Sequence, residues 1–587
     1  MKGFFKKYAL IDLERKRWSS ENLEDSMLKQ TLGGKGLGVS LLLRRNPAGV
    51  DPFSPENQLV IALGPATDTL IWGNCRYGIY TRSPLTGFFG ESYSGGRAAI
   101  PMSRTGFDAF VISGASDRPV WLEISDEKVI FHDAADLWGL DTYRAQDEIR
   151  KRLSGTDAGV IVIGPAGENL VRFAVVENDY WRSAGRCGMG AVLGSKKVKA
   201  IAFRGSQTRP VADPEGIRSY AREFLKSCRD HGVAQAYRNY GTPMMVALLN
   251  NAGGFPTRYW ASGHYEKWRQ ISAEFMVERC RVRPRACRNC FMACGKLLEV
   301  LHGRHKGLVI EGPEYETIYS FGGLCMIDSI EEIAYLNDIC DRLGLDTITA
   351  GNLVAFTIEA SRRGKIGESI DYGDVDKIAS LLEKIAYRKG IGDLLAEGIK
   401  IVASEWGLES LAVHVKGLEP AGYDPRALKG MGLAYAVSDR GACHLRSTFY
   451  KAELSGMIKP DQIEGKAELF IDFEDRCTLF DCMILCRFFR DLYPWEELAR
   501  ITELTTGESL TKKDLQNIAS FVTDQCRWFN IREGLTAEDD TLPERLLKEK
   551  LEGGKSITRE ELERLKADYY RLRGWNPEGI PGRAMIS

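Results

Sequence analysis

Three cysteines close together near the middle of the chain limit what it can fold around. The segment RACRNCFMACGK (285–296) carries Cys287, Cys290 and Cys294 in the spacing C-x2-C-x3-C. Three close cysteines with one remote cysteine are typical ligands of a [4Fe–4S] cluster, whereas structural zinc sites usually bring two cysteine pairs. The spacing therefore favours an iron–sulfur cluster over zinc, a redox-active C-x2-C pair or plain core packing.

The fourth ligand of such a cluster has to come from elsewhere in the chain. There are 14 cysteines in all, and in a long chain without an export signal they do not predict a disulfide framework. The segment FDCMILCRFF (480–489) offers two candidates, Cys482 and Cys486. Composition alone does not choose between them.

The composition is that of an ordinary globular protein. The 587 residues are 44% hydrophobic and 27% charged, with a net charge of −1, so no basic field predicts binding to nucleic acid or to an anionic membrane. No apolar run reaches the length of a membrane helix. The first residues, MKGFFKKYALIDLERKRW, lack the apolar core of a signal peptide and predict a β-strand. We expect two to four domains and a cytoplasmic protein.

The residue pattern divides the chain into three regions and predicts an α+β fold. Residues 1–208 alternate short β-type runs, such as QLVIALGPAT and AGVIVIGPAG, with turn residues, which predicts a β-rich N-terminal domain. Residues 209–415 show helical spacing of apolar residues, as in SIEEIAYLNDICDRLG, where Ser329 is a candidate N-cap and Gly344 a candidate C-cap. Proline and glycine in VKGLEPAGYDPRALKG then open a third, mainly helical region, 416–587.

Nine stretches occur in the same order as in one known family. They are GGKGLG (33–38), CRYGIYTRSPLTG (75–87), SYSGGRAA (92–99), RSAGRCGMGAVLGSKKVKAI (182–201), CRNCFMAC (287–294), EGPEYET (311–317), DRLGLDTI (341–348), DRGACH (439–444) and DCMILC (481–486). On these stretches the chain resembles the tungsten-dependent aldehyde:ferredoxin oxidoreductase family over essentially its whole length. The resemblance implies a tungsten held by two pyranopterins beside one [4Fe–4S] cluster, with molybdenum as the alternative metal. It also implies that Cys486 is the fourth cluster ligand.

Further positions in these stretches match cofactor-binding residues of the family. The resemblance implies that the pterins lie on the N-terminal domain, under the two helical domains. It also implies that Asp341, Asp346 and Asp481 hold the pterins. A carboxylate suits this role because it accepts two N–H donors of a pterin edge. Arg76 would stand between cluster and pterin. The glycine-rich stretches expose backbone N–H groups that suit a phosphate, and a magnesium ion bridging the pterin phosphates is a further expectation. The residues expected to form this cradle are Tyr93, Gly95, Gly96, Arg182, Ser183 and Gly185.

Two residues match positions that line the tungsten pocket of the family. A buried Glu316 is a candidate base, and His444 is a candidate for orienting a carbonyl group. An N-terminal helix charge is the alternative interpretation of Glu316 and of the nearby Glu314. Cys325 is a candidate tungsten ligand, because a soft thiolate suits a soft metal, and His264 is a candidate proton donor. A buried free cysteine and a surface histidine are the alternative interpretations of these last two residues.

The leading prediction is an enzyme that oxidises an aldehyde to a carboxylic acid and passes the electrons to ferredoxin. Cys325 and His264 favour an alternative, the catalytic subunit of a complex resembling class II benzoyl-CoA reductase, which reduces an aryl-CoA thioester. A non-catalytic iron–sulfur electron-transfer module is the third hypothesis. The basic stretch RCRVRPRACRNC (279–290) is a candidate docking surface for ferredoxin or a cluster-bearing subunit. A homodimer or a heteromeric complex is compatible with the sequence, but the helix at 330–343 lacks the E-x2-H pattern of a bridging metal.

Overall fold

Two six-stranded sheets form the N-terminal part of the protein. The computed structural model describes residues 1–126, 128–153 and 157–586. Within them the strands of this part are β1 (Lys7–Asp12), β2 (Arg17–Asn22), β3 (Leu59–Ala62), β4 (Tyr77–Arg82), β5 (Phe89–Ser94), β6 (Ala109–Ser113), β7 (Val120–Ile124), β8 (Val129–Asp133), β9 (Gly159–Val162), β10 (Val176–Asn178), β11 (Arg182–Ala184) and β12 (Val198–Phe203). The sheet orders are β2-β1-β6-β3-β4-β5 and β11-β10-β9-β12-β7-β8. β1 pairs in parallel with β6, and β7 with β12.

Alternation of side chains along the strands builds the core. Ile61 points into a cluster shared by both sheets, where the rings of Phe110 and Phe203 are 5.0 Å apart. The neighbours of Ile61 in β3, Val60 and Ala62, point the other way, into a second cluster shared with helices of the C-terminal part. Successive strand residues face opposite sides of a sheet, so a strand covered on both faces is apolar throughout, as the run QLVIALGPAT indicates.

The rest of the chain is mainly helical, which confirms the predicted α+β class. The α-helices of the described residues are α1 (Asp25–Thr31), α2 (Gly34–Arg45), α3 (Ala99–Ser103), α4 (Thr142–Arg152), α5 (Pro165–Glu168), α6 (Met189–Ser195), α7 (Pro214–Cys228), α8 (Gly232–Tyr240), α9 (Met245–Asn251), α10 (Ala273–Arg279), α11 (Tyr315–Thr317), α12 (Ile330–Leu343), α13 (Thr347–Arg362), α14 (Val375–Ala386), α15 (Ile391–Leu395), α16 (Ile399–Trp406), α17 (Lys429–Val437), α18 (Tyr450–Leu454), α19 (Lys466–Met483), α20 (Trp495–Thr506), α21 (Lys512–Arg532), α22 (Glu544–Lys548) and α23 (Arg559–Arg573). A π-helix at Ile318–Leu324 continues α11. The caps of α12 are those predicted: the Ser329 side chain accepts a hydrogen bond from the Glu332 N–H, and Gly344 is left-handed. None of these helices is long and apolar enough to cross a membrane.

A small third sheet interrupts the helical middle region, and the sequence pattern did not predict it. It consists of β13 (Cys280–Arg285), β14 (Gly295–Val300) and β15 (Val309–Glu311), all antiparallel. β13 was missed because it contains a proline and three arginines and buries only Cys280 of its six residues. The loop of the β13–β14 hairpin is the segment that carries Cys287, Cys290 and Cys294. The domain boundaries at 208 and 415 stay predictions.

A glycine contact joins α2 to the end of α19, close to Asp481. A Cβ atom on Gly34 would lie 2.1 Å from the Asp481 carbonyl oxygen, whereas one on Gly49 would meet nothing within 4 Å. Both glycines have positive φ, so an added side chain carries a conformational cost at both positions. The two positions differ in the packing around that side chain. We expect Gly34→Ala to destabilise the fold by about 1–3 kcal/mol more than Gly49→Ala. The apparent Tm of the two variants measures this, and equal shifts would contradict it.

Candidate functional site

The chain brings Cys486 beside the three cysteines of the β13–β14 loop. Burial, followed by the nearby Cys287 and Cys486, raises the pKa of Cys290 to about 12. Burial also raises the pKa of Cys294, the same two thiols add to it, and Arg182 opposes it. Cys486 follows the left-handed end of α19 at Ile484, and its N–H donates to the Gly73 carbonyl at 2.9 Å. The four thiols therefore meet although nearly two hundred residues separate the last from the others.

A fifth thiol, Cys75, lies in the same place and was not singled out from the sequence. It is buried, and its thiol hydrogen-bonds to Cys287, the largest influence that lowers the pKa of Cys287. The Gly96 N–H donates to the Cys287 sulfur at 3.2 Å. A Cβ on Gly95 would come within 3.1 Å of that sulfur. The SGG segment is therefore packed against the thiols, on the cluster side of the predicted cradle.

One cavity of about 310 Å³ is lined by residues from all three regions of the chain. Of the residues singled out from the sequence, it is lined by Arg76, Tyr93, Ser183, Gly185, Glu316, His444 and Asp481. Its wall also holds five arginines that the sequence did not single out: Arg186, Arg440, Arg446, Arg487 and Arg490. Three carboxylates lie in the wall, two of them Glu314 and Glu316. The excess of fixed positive charge suits an anionic guest.

Several polar atoms of this wall lack a hydrogen-bond partner among the described residues. They are the Nε atoms of Arg440, Arg446, Arg487 and Arg490, the Oε1 atom of Glu316 and the Nδ1 atom of His444. A buried donor without an acceptor costs about 1–3 kcal/mol, and such atoms usually have a partner in the functional state. The cavity is therefore shaped for a guest with several hydrogen-bond acceptors.

Glu316 and His444 form the titratable pair of the cavity. The Nε2 atom of His444 lies 3.4 Å from the Oε1 atom of Glu316, and the Gly422 N–H donates to Oε2 at 3.0 Å. Burial raises the pKa of Glu316 to about 8. Burial, with the cationic Arg440 and Arg186 nearby, holds the pKa of His444 well below its usual range. At neutral pH the histidine is therefore uncharged, and the carboxyl group is poised to gain or lose a proton.

The three predicted pterin-binding aspartates have different surroundings. Asp481 lines the cavity, pairs with Arg446 at 2.7 Å and also pairs with Arg487. Asp346 caps α13 through the Ile348 N–H and accepts from Arg186 at 3.0 Å. Asp341 lies at the end of α12, outside the residues that line the cavity. Burial, followed by the nearby Glu177 and Asp338, raises the pKa of Asp341 well above its usual value.

Three other predicted residues also have partners within the protein. Arg182 pairs with Glu311 and lies near Cys287 and Cys294 rather than at the cavity wall. The Ser183 hydroxyl donates to Glu177 at 2.7 Å. Arg76 donates to the Tyr93 carbonyl at 3.2 Å. The positive charge of Arg182 thus stands beside the thiols.

A buried ionic network behind the cavity was also missed. The Glu91 carboxylate pairs with Lys35 at 3.0 Å and with Arg446 at 2.5 Å. It also accepts a hydrogen bond from the Tyr93 hydroxyl at 2.5 Å. Arg446 in turn reaches Asp481, so the network orients the arginine wall. The available signal was the run of arginines inside largely apolar segments, as in RGACHLR (440–446) and CRFFR (486–490), since a charged residue among apolar neighbours is buried only with a partner.

Two predicted catalytic residues lie elsewhere in the described structure. The Cys325 thiol is fully buried at the end of the π-helix and points at the Gly351 carbonyl at 3.4 Å. Burial alone raises its pKa, so no cation favours a thiolate there. His264 is exposed, and its Nδ1 atom contacts the Asn250 amide at 2.9 Å. Neither lines the cavity, and both match their alternative interpretations, a buried cysteine and a surface histidine.

Comparisons with known proteins cover the whole chain. The family described as the aldehyde ferredoxin oxidoreductase N-terminal domain matches residues 8–205, and domains 2 and 3 of that family match residues 219–587. The chain is 35% identical to the tungsten-containing aldehyde ferredoxin oxidoreductases of Pyrococcus furiosus and of Thermococcus kodakarensis, over 99% of this chain and 97% of each relative.

A solved structure shares the fold. The active-site complex of benzoyl-coenzyme A reductase with 1,5-dienoyl-CoA has a chain that superposes with a TM-score of 0.84, at 23% identity, over 99% of this chain and 96% of that chain. At this identity the likeness is one of fold. The two family matches and the full-length relatives show that the chain belongs to the aldehyde ferredoxin oxidoreductase family and that it is a tungstoenzyme of this type.

Proposed function

We propose that the chain oxidises an aldehyde to a carboxylic acid at a tungsten held by two pyranopterins, and that the electrons leave through one [4Fe–4S] cluster to ferredoxin. The balanced half-reaction is RCHO + H2O → RCOOH + 2 e− + 2 H+, with one electron to each of two ferredoxins. The observation that carries the proposal is the Glu316–His444 pair inside an arginine-lined cavity. The names of the 35% identical relatives support the same reaction.

The cavity wall fits the phosphate and pterin acceptors of the cofactor. Arg440, Arg446, Arg487 and Arg490 each keep an unpartnered Nε donor, and an always-charged guanidinium binds phosphate and other anions well. Asp481 lies in the same wall and would accept from pterin N–H groups. When bound, the tungsten–pterin group supplies the two-electron chemistry.

The thiol site fits an iron–sulfur cluster better than a single ion. Among the described residues no three histidine, cysteine or acidic side chains are arranged to hold one metal ion. A zinc ion with bonds of about 2.3 Å needs its thiolates nearly in contact, whereas a four-iron cluster holds its ligands farther apart. We therefore assign Cys287, Cys290, Cys294 and Cys486 as cluster ligands, with the Gly96 N–H as a donor to the Cys287 sulfur.

Glu316 is the base in this proposal. Its Oε2 atom is held by the Gly422 N–H, which leaves Oε1 free to take a proton from the attacking water. The Nε2 atom of His444 lies 3.4 Å from Oε1, and because burial and the nearby arginines lower the pKa of His444, the proton stays on Glu316 and the imidazole stays neutral. The ring of Tyr423 stacks on His444 with centroids 5.5 Å apart and fixes its orientation. The neutral imidazole is then able to donate an N–H to a carbonyl oxygen.

The raised pKa of Glu316 predicts a pH dependence. A base acts only when unprotonated, so kcat/KM for the aldehyde should rise with pH and level off above about 8. Below that pH it should fall about tenfold per pH unit, as for one titrating group. Viologen-linked initial rates between pH 6 and pH 9.5 measure the profile. A flat profile, or one that falls between pH 6 and pH 8, would contradict the assignment of Glu316 as the base.

Anaerobic purification with metal analysis tests the proposal as a whole. We expect tungsten and about four irons per chain, together with viologen-linked activity on an aldehyde panel of alkyl and aryl members. Benzoyl-CoA is the control substrate for the alternative reaction. Iron without tungsten or molybdenum, or reaction with benzoyl-CoA and with no aldehyde, would overturn the proposal.

A further inference from the structure

A surface groove lies directly beside the thiol site. It has a volume of about 300 Å³ and runs between α7 and the two loops that carry Cys75 and Cys290. We call it the α7 groove, and its wall includes Leu70, Trp72, Arg218, Arg222, Leu225 and Asn289.

The α7 groove is in covalent continuity with the thiols. Asn289 precedes Cys290, and Asn74, another residue of the wall, precedes Cys75. The ring of Trp72 packs edge-on against Phe291 with centroids 5.0 Å apart, and the neighbouring Gly73 carbonyl accepts the Cys486 N–H. An electron that reaches this groove is therefore a few bonds from the cluster ligands. Because electron transfer slows steeply with distance, a redox partner gains most by docking here.

The wall of the α7 groove combines apolar surface with positive charge. Leu70 is 50% exposed, and the Trp72 and Leu225 side chains are partly exposed. Two arginines and no carboxylate belong to the lining. The Arg222 side chain makes no ion pair or hydrogen bond with any described residue, and Arg218 makes one exposed pair with Glu215 at 2.6 Å, which is weak in water. Exposed apolar area rimmed by positive charge is typical of a docking site for an acidic partner.

The arginine-rich stretch 279–290, the docking surface expected from the sequence, is a poorer match. Four of its five arginines already pair with carboxylates of the protein: Arg279–Glu331 (3.1 Å), Arg281–Glu299 (2.5 Å), Arg285–Glu311 (3.3 Å) and Arg288–Asp157 (2.6 Å). Arg283 is the one without a carboxylate partner among the described residues. Most of the arginines of this stretch therefore already have an acidic partner within the chain.

We propose that the α7 groove docks the electron acceptor, a small acidic iron–sulfur protein that places a carboxylate-bearing, partly apolar loop between Arg222 and Leu70. This inference rests on the proposed cluster and names the contact through which electrons leave that cluster. Charge on the groove sets the rate of encounter with the partner and leaves the aldehyde site untouched.

Charge reversal at Arg222 tests the proposal on the complete, cofactor-loaded chain. With aldehyde in excess and a purified acidic [4Fe–4S] ferredoxin as acceptor, Arg222→Glu should lower kcat/KM for ferredoxin about tenfold or more and flatten its dependence on salt. Turnover with benzyl viologen should stay that of the unaltered chain, because a small dye needs no docking surface. Leu70→Ser should give a smaller loss that salt does not change.

Arg283→Glu is the matched control, a charge reversal at an unpaired arginine on the other basic surface. It should leave kcat/KM for ferredoxin within about twofold. An unchanged rate with Arg222→Glu, or a larger loss with Arg283→Glu, overturns the docking proposal. Absence of viologen-linked aldehyde oxidation in the unaltered chain would instead overturn the proposed function, so the two failures are distinguishable.

Discussion

Replacement of Glu316 by Gln is expected to lower kcat for aldehyde oxidation by about 10²- to 10⁴-fold, the range for loss of a general base. The amide keeps the size of the side chain and its contact with the Gly422 N–H, but it cannot take a proton at the position that faces His444. The ascending limb of the pH profile should disappear with it, because the group with a pKa of about 8 is gone. Viologen-linked turnover at pH 8 measures the loss.

Glu314 offers a matched control for this variant. It lines the same cavity two residues earlier, occupies the N-cap position of α11 and accepts a hydrogen bond from the Thr242 hydroxyl. Glu314→Gln keeps an oxygen acceptor for that hydroxyl, so we expect a loss of less than about tenfold. Tungsten and iron contents should equal those of the unaltered chain in both variants. Equal losses in the two variants would show that Glu316 acts through cavity structure rather than proton transfer.

Replacement of Cys486 by Ala is expected to remove the cluster. With one of four thiolates missing, iron content should fall from about four per chain toward zero, and the electron paramagnetic resonance signal of the reduced cluster should vanish. Electron transfer to ferredoxin should fall by at least about 10²-fold, because the cluster is the proposed exit from the tungsten site. Iron analysis and spectroscopy on dithionite-reduced protein give the readout independently of turnover.

Cys482 is the control that the sequence itself supplies. It lies four residues earlier, inside α19, where its buried thiol has the Gly36 backbone, Asp481 and Lys35 as its surroundings. Cys482→Ala should therefore keep full iron content and cost about 1 kcal/mol of stability from lost apolar contact. Retention of iron in Cys486→Ala, or its loss in Cys482→Ala, would refute the proposed ligand set.

The N-terminal sheets were predictable because their signal is local. Runs such as QLVIALGPAT and AGVIVIGPAG contain β3 and β9, and the caps of α12 lie at Ser329 and Gly344 as predicted. β13 was not predictable in the same way, because its stability comes from pairing with β14 rather than from an apolar pattern of its own. Local propensity is informative where burial repeats with a regular period, and it is not where an exposed hairpin is held by a neighbouring strand.

The site was predictable where it depends on motifs and unpredictable where it depends on pairing. The motif residues Glu316, His444 and Asp481 line one cavity, as the resemblance implied. The same reasoning placed Cys325 and His264 near the chemistry from their positions in the chain, and it gave no weight to Arg440 or Arg490. Proximity along the chain says little about proximity across a core built from segments hundreds of residues apart.

By itself, then, the sequence determined the spacing of the cysteine triad, the β-rich start and helical remainder of the chain, and the family to which it belongs. Tertiary structure brings Cys486, which the resemblance had implied, beside the triad, and it alone decided that Cys75 joins it. It also decided that most arginines of the 279–290 stretch have a carboxylate partner, whereas the Arg222 side chain has none among the described residues. The physical reason is that burial and charge pairing depend on which distant segments come into contact, and these contacts set the pKa of Glu316 and the charge of each surface.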